Sequence, residues 1–354
     1  MVAINCLFRL GLICLSAGIL TLGLSHRLQR KMDTMGLVPN QYRFGDLYNI
    51  SNLEKFKEEN LEVNTALTQS DKPSTRYKNV DLYTIGDSFT TMDTSFYAGD
   101  KNFHIWLGAN VDTVTLNPEK QSLLVIEVIE RTIQERLKGE AEKLYIDKGF
   151  QISGNNAHQP PLRNAVPKSI WWEKFHDGID QRLEFLLFNY DIFLKIKELK
   201  AQTMLSLFNR THQGALISKS HDHLFYDIEA NLKSTLSPFQ TLHSSDIDEV
   251  VTNMNLIRQH YVSLGFKEVY FCFIPNKVTV CEPDRSRHNN QIERIETHPD
   301  LLAPVLSIHQ EVRKHPEWYH KGDGHWNANG KRIWIKAVNN LVQRTSEGID
   351  CKSI

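Results

Sequence analysis

The feature that most constrains the fold is a near-continuous apolar run at residues 269–274, which follows a helical pattern. Val250, Met254, Ile257 and Tyr261 recur at helical spacing before it, and Gly265 marks the end of that helix. A strand with one face in water alternates apolar and polar residues, whereas this run does not alternate. It therefore predicts a strand at the centre of a parallel sheet.

Three more strands are predicted earlier in the chain, at residues 80–85, 103–107 and 123–126, and a helix is predicted at 130–138. Strands that alternate with helices form parallel sheets with helices on their faces. The predicted fold class is therefore α/β, a three-layer sandwich with a mainly parallel central sheet. A chain of 354 residues can bury a full core, as one large domain or as one domain with an insertion.

Two regions depart from this pattern. Residues 139–220 contain a stretch rich in Asn and Pro at 155–167 and then apolar residues at helical spacing, which predicts a helical insertion within a domain that spans 79–345. Residues 26–78 are polar and irregular, and we expect them to form a stalk that packs onto that domain.

The N-terminal 25 residues are different again, because residues 10–24 are uncharged and mainly apolar and Arg9 precedes them. This length is typical of a signal peptide or a signal anchor, so we expect export and a membrane-targeting segment at 1–25. Three basic residues at 27–31 follow the stretch, and the positive-inside rule favours the alternative, a tether whose chain faces the cytosol.

Charge and residue types limit the partners. The formal net charge is -1 and the charges are mixed, so no nucleic-acid partner is expected. His320, Asp323 and His325 are metal-ligand types, but no further Cys or His at finger-like spacing completes a site. We predict no metal and no cofactor, and a solvated loop for the His-Asp-His sequence at 221–223.

The first motif with chemical meaning is the sequence Gly86, Asp87, Ser88, which follows a predicted strand. Gly86 permits a sharp reversal that would place Ser88 at the carboxyl edge of the sheet, where α/β active sites collect. The alternative is an ordinary turn in which Asp87 or Ser88 caps the next helix. Alone, such a tripeptide is a weak signal.

The second motif lies near the C terminus, where Asp323 and His325 are separated by a single residue. Asn327 predicts the N-cap of a helix with Trp334 on its apolar face, so His325 lies in the turn that enters it. Asp323 would orient the imidazole through one ring nitrogen, leaving the other to take a serine proton. The two motifs predict a Ser-His-Asp acyl-transfer site, with Ser88 and His325 within hydrogen-bond range.

In this order the two motifs resemble the SGNH hydrolase superfamily, and within it the SGNH-like O-acetyltransferases of the alginate-acetylation type. The order is that of ordinary SGNH hydrolases, as if the acetyltransferase domain were circularly permuted, and the Asp-X-His spacing is tighter than the usual one. The likeness covers most of residues 80–342 except 138–221. It rests on five short sequences: Gly-Asp-Ser-Phe at 86–89, a strand ending in Glu-Arg at 125–131, Leu-Phe-Tyr at 224–226, Pro-Asn-Lys at 275–277 and Asp-Gly-His-Trp at 323–326.

The resemblance implies an enzyme that transfers acetyl groups to a cell-envelope or exported polysaccharide through an acyl-serine intermediate. It implies a glycan acceptor, an acyl donor and a multi-span membrane acyltransferase as partner. The location would be periplasmic or otherwise extracytoplasmic, membrane-anchored or secreted. Two alternatives remain: a carbohydrate or lipid esterase that uses water, and a catalytically silent glycan-binding or assembly protein.

Three further residues belong to the predicted site. Asn110 follows a predicted strand and stands where ordinary SGNH enzymes place an oxyanion donor, beside the backbone amide of Ser88. Arg131 and Trp326 complete the predicted oxyanion or substrate-binding set. For Arg131 the alternative is a structural role as the buried ion-pair partner of Glu127, and we favour that role.

Overall fold

The computed structural model describes residues 2–24, 28, 35, 46–59, 61–90, 93–107, 111–138, 149–153, 190–211 and 214–349. The described strands are β1 (Val80–Gly86), β2 (Asn102–Trp106), β3 (Asp112–Val114), β4 (Gln121–Ile129), β5 (Phe150–Ile152), β6 (Ala215–Ile217), β7 (Leu224–Tyr226) and β8 (Glu268–Ile274). The described helices are α1 (Val2–Leu24), α2 (Leu61–Thr65), α3 (Ile133–Leu137), α4 (Asp191–Phe208), α5 (Asp227–Ala230), α6 (Ser244–Ser263), α7 (Lys277–Cys281), α8 (Gln291–Glu296), α9 (His309–Val312) and α10 (Ala328–Ser346).

The chain divides into two compact units. One comprises Met1–Arg43, Tyr48–Leu53 and Asn156–His212, and the other comprises Phe44–Leu47, Glu54–Asn155 and Gln213–Ile354. Within the first unit, the Asn52 side-chain amide donates to Glu198 Oε1 of α4 at 3.0 Å. Much of the predicted insertion, at 139–148 and 154–189, lies outside the described residues.

Among the described residues, none of the helices combines the length and the apolar character needed to cross a membrane. The membrane-targeting role expected of residues 1–25 therefore stays a prediction.

The second unit is built on a four-stranded parallel sheet in the order β2-β1-β4-β8. All four strands were predicted, and each extends by one to three residues beyond its predicted bounds at one end or both. The predicted helix at 130–138 is instead a 3-10 turn, Glu130–Thr132, followed by α3, because the Thr132 hydroxyl bonds back to the Ile129 carbonyl and tightens the first turn. The predicted α/β class with a mainly parallel central sheet is confirmed.

Helices cover both faces of this sheet. On one face, Tyr83 and Phe271 pack in one core cluster with Met254 of α6. On the other face, Leu82 packs in a second cluster with Trp334 of α10. This arrangement is compatible with a three-layer sandwich, and it explains why residues 269–274 do not alternate, since both faces of β8 are buried.

The order of the strands decides where a site can form. The chain leaves β1 towards β2 on one side and later returns to β4 on the other side, so the strand order reverses between β1 and β4. In open α/β sheets, ligands bind at the carboxyl end of the strands at such a reversal. Ser88 follows β1 and Arg131 follows β4 at this edge.

Candidate active site

The turn after β1 is shaped around Asp87. Its backbone N–H donates to Glu127 Oε2 at 2.8 Å, and its side chain accepts from the Phe89 amide at 3.1 Å. A Cβ on Gly86 would lie 2.9 Å from the same Glu127 oxygen, so only glycine lets the carboxyl group approach the turn. Burial and the charge of Asp87 raise the pKa of Glu127. Asp87 thus forms a local turn that presents Ser88, but in the described residues it does not cap a helix, as the alternative interpretation required.

The loop before α10 carries the histidine. Asn327 caps α10 by accepting from the Asn329 amide at 2.9 Å, as predicted. A Cβ on Gly324 would clash with the ring of Tyr226, so only glycine fits between Asp323 and His325. Close packing against β7 therefore explains why the middle residue of the Asp-Gly-His sequence is glycine.

The two loops bring the predicted triad together. Ser88 Oγ lies 2.6 Å from His325 Nε2, and His325 Nδ1 lies 2.7 Å from Asp323 Oδ1. Asp323 Oδ1 also accepts from the His325 backbone N–H at 2.8 Å, which fixes the carboxylate relative to the ring. The predicted approach of Ser88 to His325 is confirmed, and the serine, imidazole and carboxylate lie in the sequence required for proton transfer.

His325 and Asp323 shift each other's pKa. Burial lowers the pKa of His325, but hydrogen bonds to Asp323 and Asp46, with their negative charges, outweigh burial and raise it to about 10. Burial raises the pKa of Asp323, but its bonds to His325 outweigh that effect and lower it to about 2. The pair therefore favours a carboxylate beside an imidazolium, the charge state that follows proton transfer from serine.

Buried interactions hold the histidine loop in place. Lys277 is 1% exposed, and its ammonium donates to the carbonyls of Leu224 at 2.6 Å, Lys321 at 2.9 Å and Asp323 at 3.0 Å. The Trp326 indole N–H donates to the Phe89 carbonyl at 2.8 Å and joins the histidine loop to the serine turn. Lys277 of the Pro-Asn-Lys sequence thus holds the histidine loop through its backbone carbonyls.

A shallow cleft of about 430 Å³ opens at the serine. Ser88 and His325 are partly exposed at its floor, so a small ester can reach both. The cleft is lined by Leu61, Thr65, Ala66, Ser88, His320, Asp323, His325 and Lys331. Residues 61–66 were predicted to belong to a stalk, and here α2 forms one wall of the cleft.

Arg131 and Trp326 occupy positions that differ from the prediction. The Arg131 guanidinium forms an ion pair with buried Glu229 and not with Glu127, and it lies over the Phe89 ring, 5.9 Å from its centroid. Arg131 therefore has the structural role that was favoured, with a different partner. Trp326 is 0% exposed and its N–H is used by Phe89, so its indole supports the loops and does not reach a substrate.

Asn110 lies outside the described residues, so its predicted role as an oxyanion donor stays a prediction. The backbone amide of Ser88, the other predicted donor, has no acceptor among the described residues.

Sequence reasoning missed Asp46, whose Oδ2 lies 3.2 Å from His325 Nδ1. Apolar neighbours indicated that this stretch packs onto the domain, but Asp46 is 277 positions from Asp323, and no spacing rule spans such a distance. Tyr226 was noted only as part of a Leu-Phe-Tyr sequence, and its hydroxyl donates to Asp46 Oδ2.

Asp46, Asp323 and His325 also have side chains of the types that bind metals. Ligand-type atoms of Asp46, Asp323 and His325 lie within 4.8 Å of one another. The 2.7 Å between His325 Nδ1 and Asp323 Oδ1 is the length of a charge-assisted hydrogen bond, which a metal between these atoms would break. His320 is not part of this group, since its Nε2 bonds to the Thr65 hydroxyl at 2.9 Å.

Neither protein-family models, nor curated proteins, nor solved structures give a significant match to the chain.

Proposed function

We propose that this protein is an acyl-transfer enzyme that works through an acyl-serine intermediate on Ser88. The observation that carries the proposal is the continuous contact from Ser88 Oγ to His325 Nε2 and from His325 Nδ1 to Asp323 Oδ1, at 2.6 and 2.7 Å. Nucleophile, base and orienting carboxylate in hydrogen-bond contact are the arrangement that activates a serine.

In the first step, Ser88 Oγ attacks the carbonyl carbon of an acyl ester while its proton passes to His325 Nε2. The carbonyl electron pair moves to oxygen and forms a tetrahedral oxyanion. When the oxyanion collapses, the bond to the leaving alcohol breaks, and that alcohol takes the proton from His325. The acyl group is then esterified to Ser88, and Asp323 has stabilised the imidazolium between the two proton transfers.

The second step repeats this path with an acceptor hydroxyl. The acceptor gives its proton to His325 Nε2 and attacks the acyl carbon, and Ser88 leaves with that proton. The oxyanion of both steps needs donors, each worth about 2.7 to 4 kcal/mol. The Ser88 amide supplies one, and Asn110 is the second donor of the proposal.

We propose that the protein is an SGNH-like O-acetyltransferase. Its acceptor in this proposal is a hydroxyl group of a polysaccharide. The support for this proposal is the position of the family-like sequences: the Glu-Arg, Pro-Asn-Lys and Leu-Phe-Tyr segments all pack around the serine and histidine loops. The proposal includes a cell-envelope location and a multi-span membrane acyltransferase that supplies acyl groups.

Hydrolysis is the second candidate function. Ser88 and His325 are both partly exposed in the cleft, so water can reach an acyl group on Ser88. An esterase would use the same first step and differ only in the acceptor. The third candidate is a catalytically silent glycan-binding or assembly protein. It would form no acyl-serine, and this distinguishes it from the transferase and the esterase.

Incubation with a chromogenic acetyl ester, with and without oligosaccharide acceptors, tests these functions. We expect wild-type protein to release the chromophore and to carry acetyl on the peptide that contains Ser88, as measured by mass spectrometry. Ser88→Ala removes the nucleophile and should show neither result, whereas Ser263→Ala, at the exposed end of α6, should behave as wild type. Acetylated oligosaccharide indicates transfer and free acetate alone indicates hydrolysis, whereas an unmodified Ser88 in wild type would refute both.

A further inference from the structure

Asp46 comes from a short segment, Phe44–Leu47, that belongs to the sheet-containing unit although the residues on both sides of it belong to the other unit. Its carboxylate is only 22% exposed and lies against the histidine loop, with Oδ2 3.2 Å from His325 Nδ1. The ring N–H of His325 therefore faces two carboxylates, Asp323 and Asp46.

The other polar atoms of Asp46 also bond at this site. Its Oδ1 accepts from the Gly324 amide at 2.7 Å, and its backbone N–H donates to Asp323 Oδ2 at 2.9 Å. The Tyr226 hydroxyl donates to Oδ2. Asp46 thus bonds to three consecutive residues of the Asp-Gly-His sequence, whereas a surface carboxylate that merely lies nearby would leave most of its lone pairs to water.

The two carboxylates have different tasks. Asp323 Oδ1 accepts both the ring N–H and the backbone N–H of His325, so Asp323 sets the ring orientation. Asp46 adds a second negative charge to the same ring nitrogen and holds Asp323 through its backbone amide. Because opposite charges within about 4 to 6 Å favour the charged form of a group, Asp46 makes the imidazolium more stable and the imidazole a stronger base.

We propose that Asp46 is a positioning residue of this site, a second carboxylate that anchors the Asp-Gly-His loop and sets the pH range in which His325 can accept the serine proton. The proposal rests on the proposed acyl transfer and extends the triad to four members.

Other titratable groups face His325 as well. Ser88 lies on the β1 side, Tyr226 of β7 acts through Asp46, and Lys331 of α10 and His320 line the same cleft. Lys331 is cationic and opposes the imidazolium, whereas Asp323 and Asp46 favour it. The two carboxylates lie 2.7 and 3.2 Å from Nδ1, in direct contact with it, so they outweigh Lys331.

The test compares Asp46→Asn with wild type and with Asp248→Asn. Asp248 is a matched control because it also accepts from a histidine, His298 Nε2 at 3.0 Å, in a pair that does not touch Ser88. The rate of serine labelling by a fluorophosphonate is measured against pH, and the titration of His325 is followed by NMR. We expect the midpoint of both curves to fall by about one pH unit or more in Asp46→Asn. Asp248→Asn should leave both midpoints unchanged.

A merely structural role for Asp46 would lower the maximum labelling rate and leave the midpoint of the pH curve where it is. That outcome would overturn the inference. If Asp46→Asn fails to fold, Tyr226→Phe decides, because it removes a donor that competes for Asp46 Oδ2 and should move the His325 midpoint to higher pH. A fall in that variant would contradict the proposal.

The NMR titration keeps this inference separate from the proposed function. An unlabelled Ser88 in wild type refutes acyl transfer, yet the midpoint of His325 still shows whether Asp46 acts on it. A labelled Ser88 with identical His325 midpoints in wild type and Asp46→Asn refutes the role of Asp46 alone.

Discussion

Two pairs, each of a histidine and a carboxylate, lie at the carboxyl edge of the sheet. In each pair one ring nitrogen of the histidine bonds to the carboxylate, and the pairs differ in what the other ring nitrogen contacts. His325 bonds to Asp323 through Nδ1 and reaches Ser88 through Nε2. His288 bonds to Glu130 through Nε2 at 2.9 Å, and its Nδ1 contacts Asn290, 3.0 Å from the backbone N–H and 2.8 Å from the side-chain Oδ1. The second ring nitrogen of His325 thus reaches a hydroxyl in a cleft, whereas that of His288 reaches a neighbouring asparagine.

Their carboxylates differ as well. Glu130 is fully buried and accepts from the Asn276 amide at 2.8 Å and from the Thr279 hydroxyl at 2.7 Å. Burial raises the pKa of Glu130, but His288 and these donors outweigh burial and lower it. Glu130, directly after β4, thus joins the turn after β8 and the loop before α8. The same two residue types therefore make a candidate reactive site in one place and a structural tie in the other, and the difference lies in the hydroxyl and the cleft.

The sharpest test of this contrast replaces each histidine by glutamine. His325→Gln removes the base, and serine labelling by a fluorophosphonate should fall by about 10⁶-fold, as loss of a triad histidine does elsewhere. His288→Gln should label within a few-fold of wild type, because its ring does not reach Ser88. Equal losses in the two variants would mean that both pairs act only on the fold.

The carboxylates give the next largest effect. Asp323→Asn should lower serine labelling by about 10⁴-fold, since the amide favours the wrong histidine tautomer. Glu130→Gln should leave labelling close to wild type. Both substitutions break a buried pair and should lower the free energy of unfolding by about 3 to 5 kcal/mol, so labelling is the measurement that separates them. In residual cleavage of the chromogenic ester, the double variant Ser88→Ala with Asp323→Asn should be little worse than Ser88→Ala alone. Near-normal labelling in Asp323→Asn would show that another residue orients His325.

A third test concerns the packing that sets the Asp-X-His spacing. Gly324→Ala places a Cβ against the Tyr226 ring with no room for it, so the loop must move. A displacement of about 1 Å costs roughly 10²-fold in rate, and we expect that loss in labelling. Gly11→Ala, in α1 with nothing within 4 Å of the added Cβ, is the control. A fully active Gly324→Ala would mean that the loop position is not critical.

Per pH unit, the pH dependence is the smallest of these effects. Acylation needs a neutral His325, so its rate should rise about tenfold per pH unit towards the pKa of about 10. Stability changes in the opposite direction. A histidine pKa raised from its ordinary 6.5 stabilises the fold fully below that pH, and this contribution is lost as pH rises through about 10. The free energies of unfolding of wild type and His325→Gln, measured in urea, should therefore converge at high pH. His288→Gln is the control for the pH dependence of the acylation rate.

The sequence was sufficient for the four strands of the central sheet and for the triad because both have local signals, whereas the short strands β3, β5 and β6 were not predicted. Strand β8 has a buried apolar run, and Ser88 and His325 lie in turns whose glycines and caps can be read directly. The sequence was not sufficient for contacts between distant segments. The contact of Asp46 with His325 and that of Glu229 with Arg131 depend on how the loops pack. Neither Asp46 nor Glu229 lies in a recognisable motif, so propensity and spacing could not predict these contacts.

The hydrogen bond from the Trp326 indole to the Phe89 carbonyl has a consequence for motion. Phe89 directly follows Ser88 and Trp326 directly follows His325, so one buried bond of 2.8 Å lies a single residue away from both nucleophile and base. Breaking it would leave a buried donor or acceptor unpaired, at a cost of about 1 to 3 kcal/mol. We therefore expect the thermal fluctuations of the two loops to be correlated, so that the spacing between Ser88 and His325 is preserved before any substrate arrives.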